Sequence, residues 1–169
     1  CNEFIRQSSD ENLSKRGIAG TDATTIKTHI PEARFLRAFQ YWVLMDAFGN
    51  PSFATENDLI GSASLPGRIS RTELFNYIES ELEDISNTLP APRSNEYGRA
   101  DRAAAWALLA RMYLNAEVYT GTARWTEAIT YSKKVIDAGY SLESNYNWLF
   151  LNDNYQCTNE FIFTINYDG

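Results

Sequence analysis

Histidine is almost absent from this sequence, and cysteine is scarce. His29 is the only histidine among 169 residues, and Cys1 and Cys157 are the only cysteines. A single histidine cannot build a histidine-based metal cluster, and it leaves a Ser-His-Asp triad no choice of partners. His29 precedes Pro31 near a helix start, and we interpret it as a solvated surface residue. The sequence therefore predicts no metal site and no catalytic residue.

The two cysteines stand at opposite ends of the chain, a spacing that indicates neither a zinc site nor a disulfide framework. We expect both to be unpaired, although the sequence alone leaves a bond between them open. Cys1 could be the lipid-modified first residue of a bacterial lipoprotein. However, Phe4 and Ile5 in "CNEFIRQ" fit the end of an amphipathic helix better than a flexible tether. We therefore interpret the chain as an internal fragment of a longer protein.

Positive charge and long apolar runs are also lacking. The chain has 15 Lys and Arg but 22 Asp and Glu, which gives a net charge of −7. Binding to nucleic acid or to an anionic membrane requires a basic surface that so few cations do not supply. No apolar run approaches the ~20 residues of a membrane-spanning helix. No glycine-rich phosphate loop is present either, so we expect no nucleic acid, no membrane span and no cofactor.

Apolar residues are abundant at 44%, and 169 residues suffice for one domain that buries about 70% of its unfolded surface. Helix signals recur along the chain, including a capping-box spacing from Ser70 to Glu73 and a capping Asp101. Thr21-Asp22 could cap the second helix, which ends at Gly49-Asn50-Pro51. The pattern predicts helices at residues 1–8, from about 32 to 48, and at 71–89, 102–119 and 125–139.

The helix that ends at Gly49 is apolar on both faces. Its large apolar residues are Phe35, Leu36, Phe39, Trp42 and Val43 on one face and Tyr41, Leu44, Met45 and Phe48 on the other. An all-round apolar helix is buried on both sides, which places it inside a stack of helices. Arg34 and Arg37 should then pair with carboxylates, because an unpaired buried charge is costly. Gripping an anionic ligand is the alternative.

The helix pairs suggest a repeat fold. Trp106, Leu109, Ala110 and Tyr113 have the spacing of the first helix of a tetratricopeptide unit, and Ala128 fits the second helix. The earlier pair, 32–48 with 71–88, matches less well. We therefore predict an all-α fold, a tetratricopeptide-like α-solenoid of helical hairpins, with residues 1–169 as a single domain. The alternation in "NEFIFTINYDG", residues 159–169, predicts one short β-strand at the C-terminal end.

Candidate chemistry is limited to carboxylates and surface aromatics. The segment "ESELED" carries Glu79, Glu81, Glu83 and Asp84, which we interpret as a solvated helix face, so we predict no enzyme. Tyr146, Trp148 and Tyr155 stand among asparagines at residues 144–155. Flat rings and amides are suited to contact with carbohydrate, which makes these three the candidate glycan-binding residues. The alternative, which we favour, is a short helix whose Tyr146, Leu149 and Phe150 cover the end of the solenoid.

Two segments carry a family resemblance: "EARFLRAFQYWVLMDAFGNPSFATE" at residues 32–56 and "YGRADRAAAWALLARMYLNAEVYTG" at 97–121. With the helices between and after them, they strongly resemble the SusD/RagB family over nearly the whole chain. The resemblance implies a surface lipoprotein of the Bacteroidetes outer membrane. Such a protein binds a glycan without catalysis and caps a SusC-like TonB-dependent transporter, and its fold consists of tetratricopeptide-like units.

The resemblance also sets limits. Cys1 lies too close to the 32–48 helix to match the anchoring cysteine of the family, so the lipid anchor is expected to be absent from this fragment. The principal sugar-contacting aromatics of the family lie largely outside the region present here, which assigns these residues the role of scaffold. Starch or another α-glucan is the ligand that the resemblance implies. A helical-repeat adaptor that binds a protein or peptide is the alternative function.

Overall fold

A computed structural model of the chain describes residues 1–58, 61 and 65–166. In this part of the chain the regular structure is helical, which confirms the predicted helical class, and no helix is both long and apolar enough to cross a membrane. The α-helices are α1 (Asn2–Gln7), α2 (Asp10–Lys15), α3 (Gly20–Thr28), α4 (Ile30–Phe48), α5 (Arg71–Ile85), α6 (Arg102–Leu114), α7 (Ala116–Thr120) and α8 (Trp125–Ile136). Two 3-10 helices follow at Tyr146–Phe150 and Asn154–Gln156.

Helices α4 and α5 form the first hairpin. Gly49 ends α4 with a φ of 70°, a left-handed value that glycine adopts without steric cost. Ser70 and Glu73 form the predicted capping box at the start of α5. The backbone N–H of Arg71 donates to Asn50 Oδ1 at 2.8 Å, whereas Arg34 at the start of α4 reaches Glu81 near the end of α5. The two helices therefore run antiparallel.

Helices α6 and α8 form the second hairpin. Asp101 caps α6 by accepting a hydrogen bond from the backbone N–H of Ala104 at 3.1 Å, as predicted. Tyr113 near the end of α6 stacks on Tyr131, with ring centroids 5.5 Å apart, and the Arg124 guanidinium lies 4.9 Å from the Tyr113 centroid. Because the end of α6 meets the first part of α8, this pair is also antiparallel.

One apolar core joins the hairpins. Side chains from α4, α5 and α6 fill it, and each fully buried one contributes about 1.5–3 kcal/mol of transfer free energy. The largest members are Phe35, Met45, Leu74, Phe75, Ile78, Leu82, Ile85, Leu109, Met112 and Tyr113. Helix α1 also packs against α4.

The N-terminal part has breaks that the sequence patterns did not predict. Helix α2 is additional; it begins after Ser9, whose hydroxyl accepts from the backbone N–H of Asn12. Thr21-Asp22 lies inside α3, and Ala19 is its N-cap. The helices α3 and α4 separate at His29 just before Pro31, which has no N–H to continue the hydrogen-bond ladder. Three predicted helix ends also move: α5 ends at Ile85, α6 breaks at Asn115 and α8 ends at Ile136.

Burial of α4 on both sides is only partly correct. Phe35 and Met45 are fully buried, but Leu36 and Val43 are exposed and 72% of the Phe48 surface remains accessible. The helix packs mainly against α5 and α1, and Phe163 covers part of a third side by an edge contact with Phe35 at 5.1 Å. Helices α3 and α6 make smaller contacts with α4.

The strand predicted for residues 159–169 is not formed in residues 159–166, and residues 167–169 lie outside the described part. A strand needs a neighbouring ladder for its backbone groups, and the described residues provide none beside this segment. Its apolar side chains instead pack on the helices, with Ile162 and Phe163 against the core. Side-chain packing therefore sets the path of this segment.

Candidate functional site

An open groove lies near the C-terminal end of the described chain. Its volume is about 690 Å³, within the ~300–1,000 Å³ usual for small-molecule sites. One wall is the loop at residues 90–101, and the other is the segment at residues 146–166. We call it the amide groove; it is lined by Tyr97, Leu149, Asn152, Asn154, Tyr155, Phe161, Phe163, Thr164, Ile165 and Asn166.

The loop wall is held by Asp101. This buried carboxylate caps α6 and also accepts hydrogen bonds from the backbone N–H of Arg93 at 2.7 Å and the Tyr140 hydroxyl at 3.2 Å. Burial and the Asp101 carboxylate together raise the pKa of Tyr140, which keeps its hydroxyl a donor. The amide of Asn95 closes the loop by donating to the Ala100 carbonyl at 2.9 Å. Tyr97 at the groove edge thus stands on a braced loop.

The second wall, residues 146–166, begins with the two short 3-10 helices. Asn145 begins the first by accepting from the backbone N–H of Asn147 at 3.1 Å, and Asn154 Nδ2 joins the two by donating to the Leu149 carbonyl at 3.0 Å. Arg93 Nη2 donates to Asn159 Oδ1 at 3.0 Å and so links this segment to the loop. The two walls are therefore tied to each other beside the groove.

Gly98 and Asn166 lie close together, one on each wall. Gly98 has a φ of 81°, and a Cβ on it would lie 2.5 Å from Asn166 Nδ2, well inside contact distance. The Oδ1 of Asn166 accepts from the Thr164 hydroxyl at 3.1 Å, which orients the amide. A side chain at position 98 would therefore displace the Asn166 amide from this position.

The described residues that line the amide groove carry no formal charge. None of its ten lining residues is Asp, Glu, Lys, Arg or His, although charged residues make up 22% of the chain. The nearby arginines are engaged elsewhere: Arg93 with Asn159 and the Gly139 carbonyl, and Arg99 with Glu32. Rings, amides and hydroxyls without charge suit a neutral, hydroxyl-rich ligand.

The structure brings only one of the three predicted glycan-binding residues to this groove. Tyr155 lines it, whereas Tyr146 and Trp148 are exposed outside it. The competing interpretation, a short helix whose Tyr146, Leu149 and Phe150 cover the end of the solenoid, is only partly correct. The helix forms at Tyr146–Phe150 and Leu149 is half-buried, but Tyr146 and Phe150 are each 70% exposed. Sequence reasoning missed Tyr97 and Asn166, which lie 58 residues before and 11 after Tyr155; Gly98 beside Tyr97 was the only local signal of a special turn.

Arg34 and Arg37 pair with carboxylates, as predicted. Arg37 Nη2 donates to Glu81 Oε2 at 2.7 Å, and a second bond joins it to Glu56. Arg34 donates to Glu81 at 2.7 Å and to Asp84 at 2.6 Å. Burial alone would raise the pKa of Glu81, but the hydrogen bonds from Arg34 and Arg37 outweigh burial and lower it. Both arginine charges are thus already paired with carboxylates, so neither is free to bind an anionic ligand.

The interpretation of residues 79–84 as a solvated face is wrong for two carboxylates. Only 17% of the Glu79 side chain and 14% of the Glu81 side chain is exposed. Glu79 accepts from the Tyr113 hydroxyl at 2.7 Å and lies 3.1 Å from Arg124 Nη2. Polar partners on the facing helices α4, α6 and α8 draw these carboxylates into the helix interfaces, a tertiary effect that the helical spacing alone does not show.

The remaining candidates play other parts. His29 is half-exposed, and its Nδ1 lies 2.8 Å from Arg99 Nη2, so it borders an ion pair on the surface. Cys1 and Cys157 are both free thiols, which confirms the expectation that they are unpaired. Within the described residues, no group of three or more His, Cys, Asp or Glu side chains is placed to hold a metal ion.

Comparison with known proteins gives a consistent result. Residues 11–114 match the model of a SusD-like family described as starch-binding and associating with the outer membrane. The starch-binding protein SusD of Bacteroides thetaiotaomicron is 43% identical over 152 residues, which cover 88% of this chain and 27% of that protein. The SusD-like protein P25 of Formosa agariphila is 24% identical over 92% of this chain and 29% of its own length.

The fold is shared with solved structures. Surface glycan-binding protein A from Bacteroides uniformis superposes with a TM-score of 0.76 and 25% identity, over 99% of this chain and 35% of that one. The chain thus spans about a third or less of the length of the relatives it matches. Because the family model covers more than half of the chain and the fold agrees, this chain belongs to the SusD-like family.

Proposed function

We propose that this chain is part of a non-catalytic glycan-binding component of an outer-membrane polysaccharide uptake system, with starch as the glycan. The observation that carries the proposal is the membership of the SusD-like family, with 43% identity to a protein named for starch binding. The uncharged, amide-lined groove supports it, since a neutral polymer of hydroxyl-bearing rings needs such chemistry.

The partner is a SusC-like TonB-dependent transporter, and the place is the cell surface at the outer membrane, where a lipid anchor holds the protein. Residues 1–169 form a single scaffold in this proposal. Its hairpins α4–α5 and α6–α8 are tetratricopeptide-like units of an α-solenoid, with the transporter docked against their outer surface. The antiparallel pairing of both hairpins supports this arrangement.

Binding proceeds by contact alone. Aromatic rings pack on the C–H faces of the sugar, and amides exchange hydrogen bonds with its hydroxyls. Tyr146, Trp148 and Tyr155 are the candidate aromatic contacts, and all three are exposed. No bond in the glycan is made or broken, so the intact oligosaccharide passes on to the transporter.

Calorimetric titration tests the proposal. Maltoheptaose, laminarihexaose and cellohexaose are titrated into the 169-residue chain and into the longer protein that contains it. We expect saturable binding of maltoheptaose by the longer protein. If the longer protein binds none of these sugars, starch is ruled out as ligand and glycan capture loses its main support.

A helical-repeat adaptor is the second candidate, and one feature favours it. Trp125, Ile129 and Ile136 stand at helical spacing on α8 and are all exposed, so α8 presents an apolar stripe to a partner. The adaptor predicts a gene that stands apart from any transporter gene and a longer protein without sugar affinity. Glycan capture predicts a gene beside one for a TonB-dependent transporter.

A further inference from the structure

We propose that the amide groove is itself a sugar subsite that takes neutral hexose units of an oligosaccharide. The inference rests on the proposed function and deepens it, because it places sugar contacts within residues 97–166 instead of leaving this chain as scaffold only. It assigns Tyr97 and Asn166, neither of which the sequence patterns singled out, together with Asn152 and Tyr155.

The first support is a set of hydrogen-bonding groups without partners. The side chain of Asn152, the Nδ2 of Asn166, the Oδ1 of Asn154 and the Tyr97 hydroxyl make no hydrogen bond to the described residues. A carboxamide offers both donors and acceptors, and each sugar hydroxyl can use one of each. Three amides around one groove therefore match a ligand rich in hydroxyls.

The second support is the position of the aromatic rings. Tyr97 belongs to the loop wall and is 43% exposed, and Tyr155 belongs to the opposite wall and is 55% exposed. Apolar side chains of Phe161, Phe163 and Ile165 also line the groove. A hexose has an apolar C–H face as well as hydroxyls, so a groove with both kinds of surface fits it.

The third support is the lack of charge, which selects among ligands. An anionic sugar would lose hydration in the groove without gaining a cation, because none of the described lining residues is a cation and Arg99 nearby is paired with Glu32. A neutral oligosaccharide carries no such penalty. The groove thus distinguishes neutral glycans from uronic acid polymers and sugar phosphates.

The rigidity of both walls is the fourth support. Asp101 and Asn95 brace the loop, the Arg93–Asn159 bond ties the loop to the second wall, and Asn166 is seated on Gly98. Aromatic and amide side chains that are already held in place before binding lose less conformational entropy when a ligand binds. The groove is therefore a built site and not a gap between mobile segments.

The test is calorimetric titration of maltoheptaose into the 169-residue chain and three variants. In the double variant Tyr97→Ala/Tyr155→Ala, both walls lose their ring, and we expect the affinity to fall at least about tenfold. The matched control is Phe4→Ala/Phe48→Ala, which removes two exposed rings outside the groove and should leave the affinity within about twofold. Asn152→Ala removes one free amide and should weaken binding several-fold.

Folding is checked in each variant by circular dichroism and thermal unfolding; the substituted residues are all exposed, so their loss should not unfold the chain. A galacturonic acid hexamer serves as the anionic probe and should not bind.

Binding by the longer protein but not by this chain would overturn the subsite and leave the proposed function standing. So would loss of affinity in the control pair with none in the groove variants. If neither protein binds a sugar, the proposed function itself fails.

Discussion

Arg37 on α4 donates a hydrogen bond from Nη2 to Glu81 Oε2 on α5 at 2.7 Å, and its side chain is only 5% exposed. The same guanidinium donates to Asn2 Oδ1 at 3.0 Å and contacts Glu56. One buried cation thereby links α1, α4, α5 and the segment after α4. Because these charges are buried away from water, breaking this link should lower the free energy of unfolding more than breaking a surface ion pair does.

Replacement of Arg37 should strongly destabilise the fold. Arg37→Met leaves Glu81 largely buried with fewer partners, and we expect a loss of about 3–5 kcal/mol in the free energy of unfolding, measured by urea denaturation. Lys15→Met is the control, because it breaks the exposed Lys15–Glu11 pair and should cost at most ~0.5 kcal/mol. Equal effects of the two substitutions would show that the network does not stabilise the protein.

Glu81 should make stability depend on pH in the acidic range. Its pKa is lower in the folded chain than the ~4.3 of an unfolded glutamate. The ionised carboxylate therefore stabilises the fold above that value, and this contribution is lost as the pH falls through the folded pKa. We expect the gap in Tm between the wild type and Glu81→Gln to be widest near pH 7 and to shrink below about pH 4. A gap that stays constant down to pH 3 would contradict this assignment.

Asp101 should matter more than an ordinary helix cap. Asp101→Ala removes the cap of α6 and leaves the part-buried N–H of Arg93 without its acceptor, so we expect a loss of about 2–3 kcal/mol. Ser70→Ala removes an exposed cap alone and should cost about 1 kcal/mol. Chemical denaturation of both variants compares the two values. The prediction fails if Asp101→Ala costs no more than Ser70→Ala.

Gly98 should be needed for the shape of the amide groove. Gly98→Ala and Gly121→Ala both place a Cβ on a left-handed residue, with φ of 81° and 79°, at a backbone cost of about 1–2 kcal/mol each. Only the first also clashes with Asn166, since nothing lies within 4 Å of a Cβ at position 121. We expect both to lower Tm and only Gly98→Ala to weaken maltoheptaose binding by this chain. Equal affinities of the two variants for maltoheptaose would show that the packing of Asn166 against Gly98 plays no part in binding.

Much of the helical framework could be predicted from local signals. Ser70-Glu73 and Asp101 begin α5 and α6 where the capping pattern places them, and Gly49 ends α4. These signals work because a cap acts within one turn of its own residue. The break at Pro31 and the extra helix α2 were missed in a polar stretch where apolar periodicity is weak.

The candidate site was predicted much less completely. Tyr155 was found because it stands in a local cluster of aromatics and asparagines, whereas Tyr97 belongs to a loop 58 residues earlier. Tyr146 and Trp148 share the local pattern of Tyr155 but lie outside the groove. Local composition identifies residue types suited to sugar contact, but not which of them line a common surface.

The sequence by itself determined the helical class and the helix starts at Ser70 and Asp101, because capping depends on residues within one turn. It also determined the pairing of Arg34 and Arg37 with carboxylates, because an unpaired buried charge is costly in any fold. Only the tertiary structure decided which side of α4 stays exposed, why residues 159–166 form no strand, and that Tyr97 and Asn166 meet Tyr155 at one groove. Each of these depends on contacts between residues far apart in the chain, whose geometry is set by how the two hairpins and the C-terminal segment pack together.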